Sequence, residues 1–457
     1  MAVDRSRLPA LGPDAQFRFP QIVRHTLGNG LKVRTVEHPG VRVVTFVMEI
    51  NGGLGADPQG REGLASLTAD MTDEGTGALS AIDVSDALAR IGAEYDVEVG
   101  ADATMFTLTT LARFADRGAR LLSDMLTSPS MRDADFGRVQ QLRLDRLRQL
   151  KDVPPAVAER WFLQLLYPSH PYGHLAIGTD ASLRALTLED VIRFHKTTFL
   201  PWRATLVVTG ALSHAELFAV AEKAFGKWTG EERVLDVPSA AADFIPDTNS
   251  SPHLAIIPRD GAAQSELRIG HLSARRDTPD YAPLLVMNAI LGGQFVSRIN
   301  LKLREEKAFT YGVRTGFDWR RGLGPFSVQT SVHTAATAES IADTLQEISA
   351  LRGPRPATTQ EMSLAQASLT RGYPRNFETA QQVARSVAQL ALFDLPDSYF
   401  EEFVPKVNAV TVDEVTRVAH TYLDTSRAIA LIVGDRKATE ASLAGLGLGE
   451  LHVLAPF

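Results

Sequence analysis

The stretch "TLEDVIRFHKTTFLPWRATLVVTG" (187–210) recurs in altered form as "TVDEVTRVAHTYLDTSRAIALIVG" (411–434), at a constant offset of 224 residues (411 minus 187). Both copies begin with a threonine followed by acidic residues, which is typical of a helix N-terminus. Both then change to a run rich in β-branched residues that ends in glycine, which indicates a strand. Identical residues occupy Thr187 and Thr411, Val191 and Val415, Arg193 and Arg417, Arg203 and Arg427, Ala204 and Ala428, and Gly210 and Gly434. Two homologous halves are the simplest explanation of this repeat.

The domain organisation follows from the repeat and from the segment between its copies. The chain has 457 residues, which is long enough for two such halves. The segment 234–252 is rich in Pro, Ala, Ser and Asp and lacks helical periodicity, as a linker does. We therefore predict an N-terminal domain over 1–235, a linker over 236–251 and a C-terminal domain over 252–457. Strand-like and helical segments interleave without regular βαβ spacing, which predicts an α+β fold with helices packed on mostly antiparallel sheets.

The composition excludes several classes of protein. A net charge of −7 and a pI near 5.9 argue against general nucleic-acid binding, which requires clustered cations. The chain has no cysteine, so disulfides and thiolate metal sites are excluded. No run approaches the ~18 apolar residues of a membrane span, and the N-terminus lacks the pattern of a signal peptide. We expect a cytoplasmic protein, or a periplasmic one if a leader has been removed.

Four further segments carry a resemblance to a known family. In chain order they read "HTLGNGLKVRTVE" (25–37), "NGGLGADPQGREGLASLTADMTDEGT" (51–76), "HPYGHLAIGT" (170–179) and "LGGQFVSRINLKLREEKAFTYGV" (291–313). Together with the repeat, they resemble the pitrilysin family of zinc peptidases, within it the group of the mitochondrial processing peptidase and its bacterial relatives. The resemblance implies two homologous α/β-sandwich domains in a clam-shell arrangement.

The zinc-binding motif of that family is changed in this chain. Active members carry H-x-x-E-H on a helix, in which two histidines bind zinc and the glutamate polarises its water. The resemblance places these positions at Ser66, Ala69 and Asp70, and the family's third ligand, a glutamate, at Arg146. A guanidinium repels a cation, and alanine cannot act as a base. We therefore predict a vacated site with no metal or cofactor in this chain, and an Asp70–Arg146 ion pair in place of the metal.

Histidines elsewhere offer no replacement site. Of the eleven histidines, only His170 and His174 stand four residues apart. Pro171 and Gly173 between them disfavour a helix, and no carboxylate lies in that stretch. We predict that both histidines pack in a loop.

A second landmark of the family is retained. In pitrilysin relatives an Arg and a Tyr of this segment contact the scissile carbonyl of the substrate, and the resemblance places them at Arg304 and Tyr311. A guanidinium and a phenol are suitable donors to an oxygen on which charge develops. Ala308 replaces the usual glycine between them. Alternatively, Arg304 pairs with a neighbouring glutamate on a surface helix and Tyr311 packs at the start of a strand.

This combination resembles the non-catalytic subunit of a heterodimeric processing peptidase. We expect no activity from the chain alone. Its expected partner is a homologous subunit that carries H-x-x-E-H and the zinc, and whose active site Arg304 and Tyr311 complete. The substrate is then a peptide or an unfolded segment, for example a ribosomally made peptide precursor.

Two other functions stay open at this stage. A scaffold subunit like the core proteins of the bc1 complex is the alternative. An autonomous hydrolase is a third hypothesis, although no G-x-S-x-G pattern supports it. The sequence does not decide the substrate, the identity of the partner or whether homodimers form.

Overall fold

Two six-stranded sheets, one in each half of the chain, organise the structure, a computed structural model that describes residues 17–230 and 251–455. The strands of the first sheet are β1 (Ile22–Thr26), β2 (Lys32–Glu37), β3 (Val43–Asn51), β6 (Glu94–Val99), β7 (Ala103–Leu111) and β8 (Ala204–Gly210). The strands of the second are β9 (Leu254–Pro258), β10 (Gln264–Leu272), β11 (Val313–Phe317), β12 (Pro325–His333), β13 (Ile429–Gly434) and β14 (Leu451–Val453). A two-stranded hairpin consists of β4 (Gly75–Thr76) and β5 (Leu79–Ser80).

The two sheets have the same strand order. The first reads β1-β2-β8-β3-β7-β6 and the second β14-β9-β13-β10-β12-β11, so five strands of each sheet have counterparts at the same place. The outermost strands β1 and β14 differ, since β1 is antiparallel to its neighbour and β14 is parallel. Most neighbours are antiparallel, whereas β2 with β8, β9 with β13 and β9 with β14 are parallel. The predicted α+β fold with two similar halves is confirmed. The clam-shell arrangement stays a prediction.

Helices connect these strands in both halves. Those of the first half are α1 (Leu64–Asp70), α2 (Ala81–Ala89), α3 (Ala115–Thr127), α4 (Asp133–Leu150), α5 (Pro154–Leu166), α6 (Asp180–Ala185), α7 (Leu188–Thr198) and α8 (His214–Phe225). Those of the second half are α9 (Tyr281–Asn288), α10 (Arg298–Asn300), α11 (Thr337–Leu351), α12 (Thr359–Thr370), α13 (Ala380–Leu392), α14 (Tyr399–Ala409), α15 (Val412–Tyr422) and α16 (Arg436–Leu443). Two π-helices, Ala289–Gly293 and Leu301–Glu306, continue α9 and α10.

Equivalent helices start in the same way in the two copies of the repeat. The side chain of Thr187 accepts a hydrogen bond from the backbone of Asp190, whose carboxylate accepts one from the Thr187 backbone in return. Thr411 and Glu414 form the same reciprocal capping box at the start of α15. This arrangement satisfies backbone N–H groups that have no partner inside the helix. The repeated stretch is therefore one structural unit, a capped helix followed by a central strand.

In each half, the helices of that half cover one face of its sheet. Alternate residues of a strand point to opposite faces, and Phe46 and Met48 of β3 pack against helices of the first half in one continuous core. In the second half, Ala430 and Ile432 of β13 do the same. Burial of these apolar faces is the main stabilising contribution within each half.

The other face of each sheet is covered by a helix from the opposite half. Phe162 of α5, in the first half, packs in a cluster with Leu431 of β13. Val387 of α13, in the second half, packs in a cluster with Val47 and Val207 of the first sheet. Because α5 and α13 occupy equivalent places in the repeat, the two halves exchange equivalent helices.

Polar contacts also join the halves. The carboxylate of Asp102 accepts a hydrogen bond from the phenol of Tyr172 and a second, of 2.9 Å, from the backbone N–H of Arg321. The guanidinium of Arg321 donates to Asn51 Oδ1 at 2.8 Å. Tyr172 belongs to the "HPYGH" segment, so this landmark lies at the contact between the halves.

Two further sequence predictions concern the linker between the halves and the presence of membrane-spanning segments. The linker predicted at 236–251 lies, except for residue 251, outside the described residues, so the domain boundaries stay predictions. Among the described residues, one stretch, Tyr281–Glu306, meets the length and hydropathy of a membrane span, and 61% of its most apolar window is buried inside the protein. Such burial is typical of a core helix.

Glu49 generates a prediction about stability. It lies on the same face of β3 as Val47, under α13, is 1% exposed, and has one carboxylate oxygen without a hydrogen-bond partner among the described residues. Burial raises the pKa of Glu49 from 4.5 to about 8. The folded state thus holds this proton more tightly than the unfolded state, so the contribution of Glu49 to the free energy of unfolding falls as pH rises between these values.

We therefore expect Glu49→Gln to be more stable than the wild type at pH 8.5, by on the order of 3 kcal/mol, and close to it at pH 5. Urea unfolding of both proteins at the two pH values measures this difference. A difference in stability that does not change with pH contradicts the prediction.

Candidate functional site

The short helix α1, which carries the positions of the predicted vacated site, has a fixed starting point. Asp57 accepts hydrogen bonds of 2.7 Å from the backbone N–H groups of both Gly63 and Ala65. Gly63 has a φ of +94°, a conformation that favours glycine. Burial of Asp57 raises the pKa of its carboxyl from 3.8 to about 7. This carboxyl binds the backbone at the start of the helix and lies 3.7 Å from Nε2 of His174.

Three of the four predicted site positions share a cavity. Ser66, Asp70 and Arg146 line a cavity of about 480 Å3 between α1 and α4. Ala69 is fully buried and belongs to the core of the first half. The structure therefore brings Ser66, Asp70 and Arg146 together and directs Ala69 into the core.

The predicted ion pair between Asp70 and Arg146 is wrong. Asp70 pairs with Arg143, whose guanidinium also donates to the backbone carbonyl of Ala176 at 2.8 Å. Arg146 donates instead to Gln149 at 3.2 Å. Residues three apart on a helix share a face, and the residue one turn earlier on α4 is the one that reaches both Asp70 and the loop.

These residues do not fit a zinc ion. Among the four predicted site residues, only Asp70 has a negatively charged oxygen that can bind a metal. That carboxylate pairs with the guanidinium of Arg143. A structural or catalytic zinc site needs at least three protein ligands. Across residues 17–230 and 251–455, no group of three or more His, Asp or Glu side chains is placed to hold a metal ion.

The same cavity contains a carboxyl with an altered proton affinity. Burial, together with the nearby charge of Glu74, raises the pKa of Asp73 from 3.8 to about 6. Glu74 pairs with Arg138. Leu142, 58% exposed, adds an apolar wall. The cavity thus has a mixed lining of charged and apolar groups.

The two equivalent edge strands differ in accessibility. On β11, the side-chain amide of Asn300 donates to the Val313 carbonyl and accepts from the Val313 N–H, both at 2.8 Å, and Asn288 donates to the carbonyl of Thr315 at 3.2 Å. On β6, which borders the cavity through Val97, no described residue outside the sheet donates to or accepts from the strand backbone. Unpaired edge groups can accept an added strand, so β6 is open where β11 is closed.

Arg304 lies in a largely covered position. It is part of the π-helix Leu301–Glu306, and its guanidinium pairs with the carboxylate of Glu305 at 2.6 Å. The same guanidinium stacks on the ring of Phe295, 3.2 Å from the ring centre, and its side chain is 12% exposed. The contact between Arg304 and a neighbouring glutamate, the alternative considered from the sequence, is present.

Tyr311 is in the opposite situation, since it is 91% exposed. It lines a cavity of about 550 Å3 together with Phe295, and Arg304 is not part of the wall of that cavity. Phe295 therefore contacts Arg304 on one side and the cavity on the other. Phe295 thus contacts Arg304 and shares a cavity with Tyr311, but the structure does not bring Arg304 and Tyr311 into one cavity wall.

The two candidate histidines have packing roles. Nδ1 of His170 accepts a hydrogen bond of 3.0 Å from the backbone N–H of Tyr172. His174 is buried, and burial lowers the pKa of its imidazole below 6.5. Both lie in the loop between α5 and α6, where the sequence predicted packing rather than metal binding.

Comparisons with known proteins show what this chain is similar to. Residues 185–369 match the family described as peptidase M16 inactive domain. An uncharacterized zinc protease of Mycobacterium leprae is 25% identical over 412 residues, which cover 89% of this chain and 90% of that protein. The mitochondrial-processing peptidase subunit beta of Blastocladiella emersonii is 24% identical over 285 residues, 61% of this chain and 58% of that protein.

Solved structures show the same fold. A peptidase M16 inactive domain from Pseudomonas fluorescens matches with a TM-score of 0.82 at 22% identity, over 91% of this chain and 98% of that one. A protease from Helicobacter pylori matches with a TM-score of 0.83 at 18% identity, over 91% and 100%. The resemblance to the pitrilysin, or M16, peptidases is confirmed, and residues 185–369 carry the match to the inactive M16 domain.

Sequence reasoning missed three residues of these sites. The pairing of Arg143 with Asp70 could not be predicted, because Arg143 and Arg146 lie on one face of α4. Their spacing does not show which of them reaches α1. Phe295 lies in "LGGQF", and nothing in that pattern shows that its ring covers Arg304. Asn300 carries no pattern by which its bond to a strand edge is recognisable.

The arginines of α4 generate a second prediction. Replacing Arg143 with Leu leaves Asp70 without its partner and removes the bond to the Ala176 carbonyl, so we expect a loss in the free energy of unfolding of about 2 kcal/mol. Arg146→Leu is the matched control, and we expect it to change stability by less than about 0.5 kcal/mol.

A double-mutant cycle with Asp70→Asn and Arg143→Leu, measured by chemical denaturation, isolates the pair. We expect a coupling of about 1 kcal/mol, because Asp70 is partly exposed to solvent. A larger effect for Arg146→Leu than for Arg143→Leu contradicts the assigned pairing.

Proposed function

We propose that this chain is the non-catalytic subunit of a heterodimeric zinc metallopeptidase. Its partner is a homologous M16 subunit that carries H-x-x-E-H and binds the zinc. This chain contributes substrate-contacting side chains to hydrolysis of peptides or unfolded segments. A ribosomally made peptide precursor is one substrate of this class.

The observation that carries the proposal is the environment of α1. The chain has the helix, with its start bonded to Asp57, yet the resemblance places the ligand positions at Ser66 and Asp70, and Asp70 pairs with Arg143. Retention of the scaffold without a metal-binding set fits a subunit that relies on another chain for the metal. The match to the inactive M16 domain and to a processing peptidase subunit supports the same interpretation.

Tyr311 supports a role in a partner's active site. A tyrosine that is 91% exposed has little structural function in the isolated chain. Its phenol can donate a hydrogen bond to a carbonyl oxygen on which negative charge develops. Arg304 is covered by Phe295 and Glu305, so on this proposal it acts next to Tyr311 once the covering side chains yield to substrate or partner.

The open edge of β6 supports binding of an extended peptide. A peptide can add to such an edge as an extra strand, with backbone hydrogen bonds that do not depend on sequence. The strand borders the cavity that Ser66, Asp70 and Arg146 line. The closed edge of β11 in the other half does not offer this mode.

The proposal predicts the behaviour of the separate and combined subunits. We expect the purified chain to contain no stoichiometric zinc by mass spectrometry and to leave a fluorogenic peptide library intact. Mixed with the M16 homologue that carries H-x-x-E-H, it should raise that subunit's kcat/KM by at least about 100-fold. Zinc bound at one equivalent, with peptide hydrolysis by the chain alone, contradicts the proposal.

Substitutions at Arg304 and Tyr311 separate this function from scaffolding. We expect Tyr311→Phe and Arg304→Ala each to lower kcat of the mixture by about 100-fold, since each removes a donor to the reacting carbonyl. Lys302→Ala, on the same π-helix and paired only with Glu306 among the described residues, is the control. If both variants support the partner as well as the wild type does, the chain is a scaffold.

A further inference from the structure

The cavity that contains Tyr311 has the composition of a ligand subsite. Its volume is about 550 Å3, and two aromatic side chains, Phe295 and Tyr311, form part of its wall. Further polar side chains line it, namely Gln294, Asn300, Gln329, Thr330 and Ser331. The amide of Asn300 is engaged by the backbone of Val313, whereas those of Gln294 and Gln329 can donate to and accept from the backbone of a bound peptide.

The two charged residues of this cavity differ in whether they are free to bind a ligand. Two charged residues line it, Glu266 and Arg314. Both carboxylate oxygens of Glu266 are occupied, one by the buried guanidinium of Arg268 and the other by the hydroxyl of Ser331. Arg314 is exposed and forms no ion pair with any residue in the described part of the chain. Arg268 is shared between Glu266 and Glu159, and Arg314 is the charged group of the cavity whose side chain is open to a ligand. A guanidinium binds carboxylates in a bidentate manner.

Exposed apolar side chains are concentrated at the same place. Of thirteen large apolar side chains exposed in the described residues, four lie between 295 and 311, namely Phe295, Val296, Leu301 and Tyr311. Phe295 is 69% exposed. The guanidinium of Arg304 stacks on one face of its ring, 3.2 Å from the ring centre. An aromatic surface that is held in place in this way provides apolar contact at low cost in conformational entropy.

We propose that this cavity is a subsite for a carboxylate that stands beside an apolar side chain of a peptide. Arg314 binds the carboxylate, and the rings of Phe295 and Tyr311 contact the apolar side chain. The carboxylate comes either from the C-terminal residue of the peptide or from an acidic side chain next to an apolar one. The inference rests on the proposed function in that the ligand is a peptide substrate, and it specifies the class of that substrate.

The test measures binding to the isolated chain, without the partner. Three fluorescein-labelled peptides of the form Gly-Ser-Gly-Ser-Phe serve as probes: the free acid, its C-terminal amide, and an amide in which Glu replaces the last Ser. We expect the free acid or the Glu peptide to bind at least about tenfold more tightly than the plain amide, by fluorescence anisotropy. Preference for the free acid assigns a C-terminal carboxylate, and preference for the Glu peptide assigns an acidic side chain.

Two variants separate the contributions of charge and apolar contact. Arg314→Ala should abolish the preference for the carboxylate, whereas Arg314→Lys should retain part of it. Phe295→Ala should weaken all peptides by about tenfold and leave the preference unchanged. Arg42→Ala, an exposed arginine before β3, and Leu364→Ala, an exposed leucine of α12, are matched controls that should change neither quantity.

The proposal is overturned if the carboxylate peptides bind no better than the plain amide, or if Arg314→Ala keeps the preference. Either result leaves the proposed function untouched, because stimulation of the zinc subunit is measured separately. Conversely, selective binding without stimulation supports the subsite and contradicts the role as a peptidase subunit.

Discussion

Each sheet of this protein is completed by a helix from the other half, and the rest of the structure depends on this exchange. A mixed sheet with apolar side chains on both faces needs cover on both. The odd-numbered residues around Val47 in β3 meet α13, and Leu431 in β13 meets α5. The two halves are therefore held at one relative position by their cores and by the contacts of Asp102. The cavity lined by Ser66 and the cavity lined by Tyr311 are therefore held in a fixed position relative to each other.

The sequence predicted the fold because the signals were local or repeated. The stretch at 187–210 and its copy at 411–434 carry a capping box, a helical pattern and a strand, and these recur in the structure as α7 with β8 and α15 with β13. The exchange of α5 and α13 could not be predicted, because an amphipathic helix shows that it has an apolar face but not which sheet covers it. The predicted linker lies almost wholly outside the described residues.

The site was predicted as a region and not as a set of contacts. Ser66, Asp70 and Arg146 line one cavity, as the family resemblance implied, but Asp70 pairs with Arg143. A choice between two arginines on one helix face depends on distances of a few ångström that only tertiary packing sets. Arg304 and Tyr311 illustrate the same limit, because the sequence contains both residues but does not show that Phe295 covers Arg304 and leaves Tyr311 exposed.

The two π-helices that flank Phe295 have a consequence for motion. Each widens the helix by an extra residue in the turn, and such turns are often found at functional sites. The segments Ala289–Gly293 and Leu301–Glu306 continue buried helices, whereas the four residues between Gly293 and Arg298 are not helical. Hydrogen exchange should therefore be faster here than in the adjoining strands, because local opening of these turns does not require the core to unfold. The ring of Phe295 can then change position while β11, which carries Arg314, stays in place.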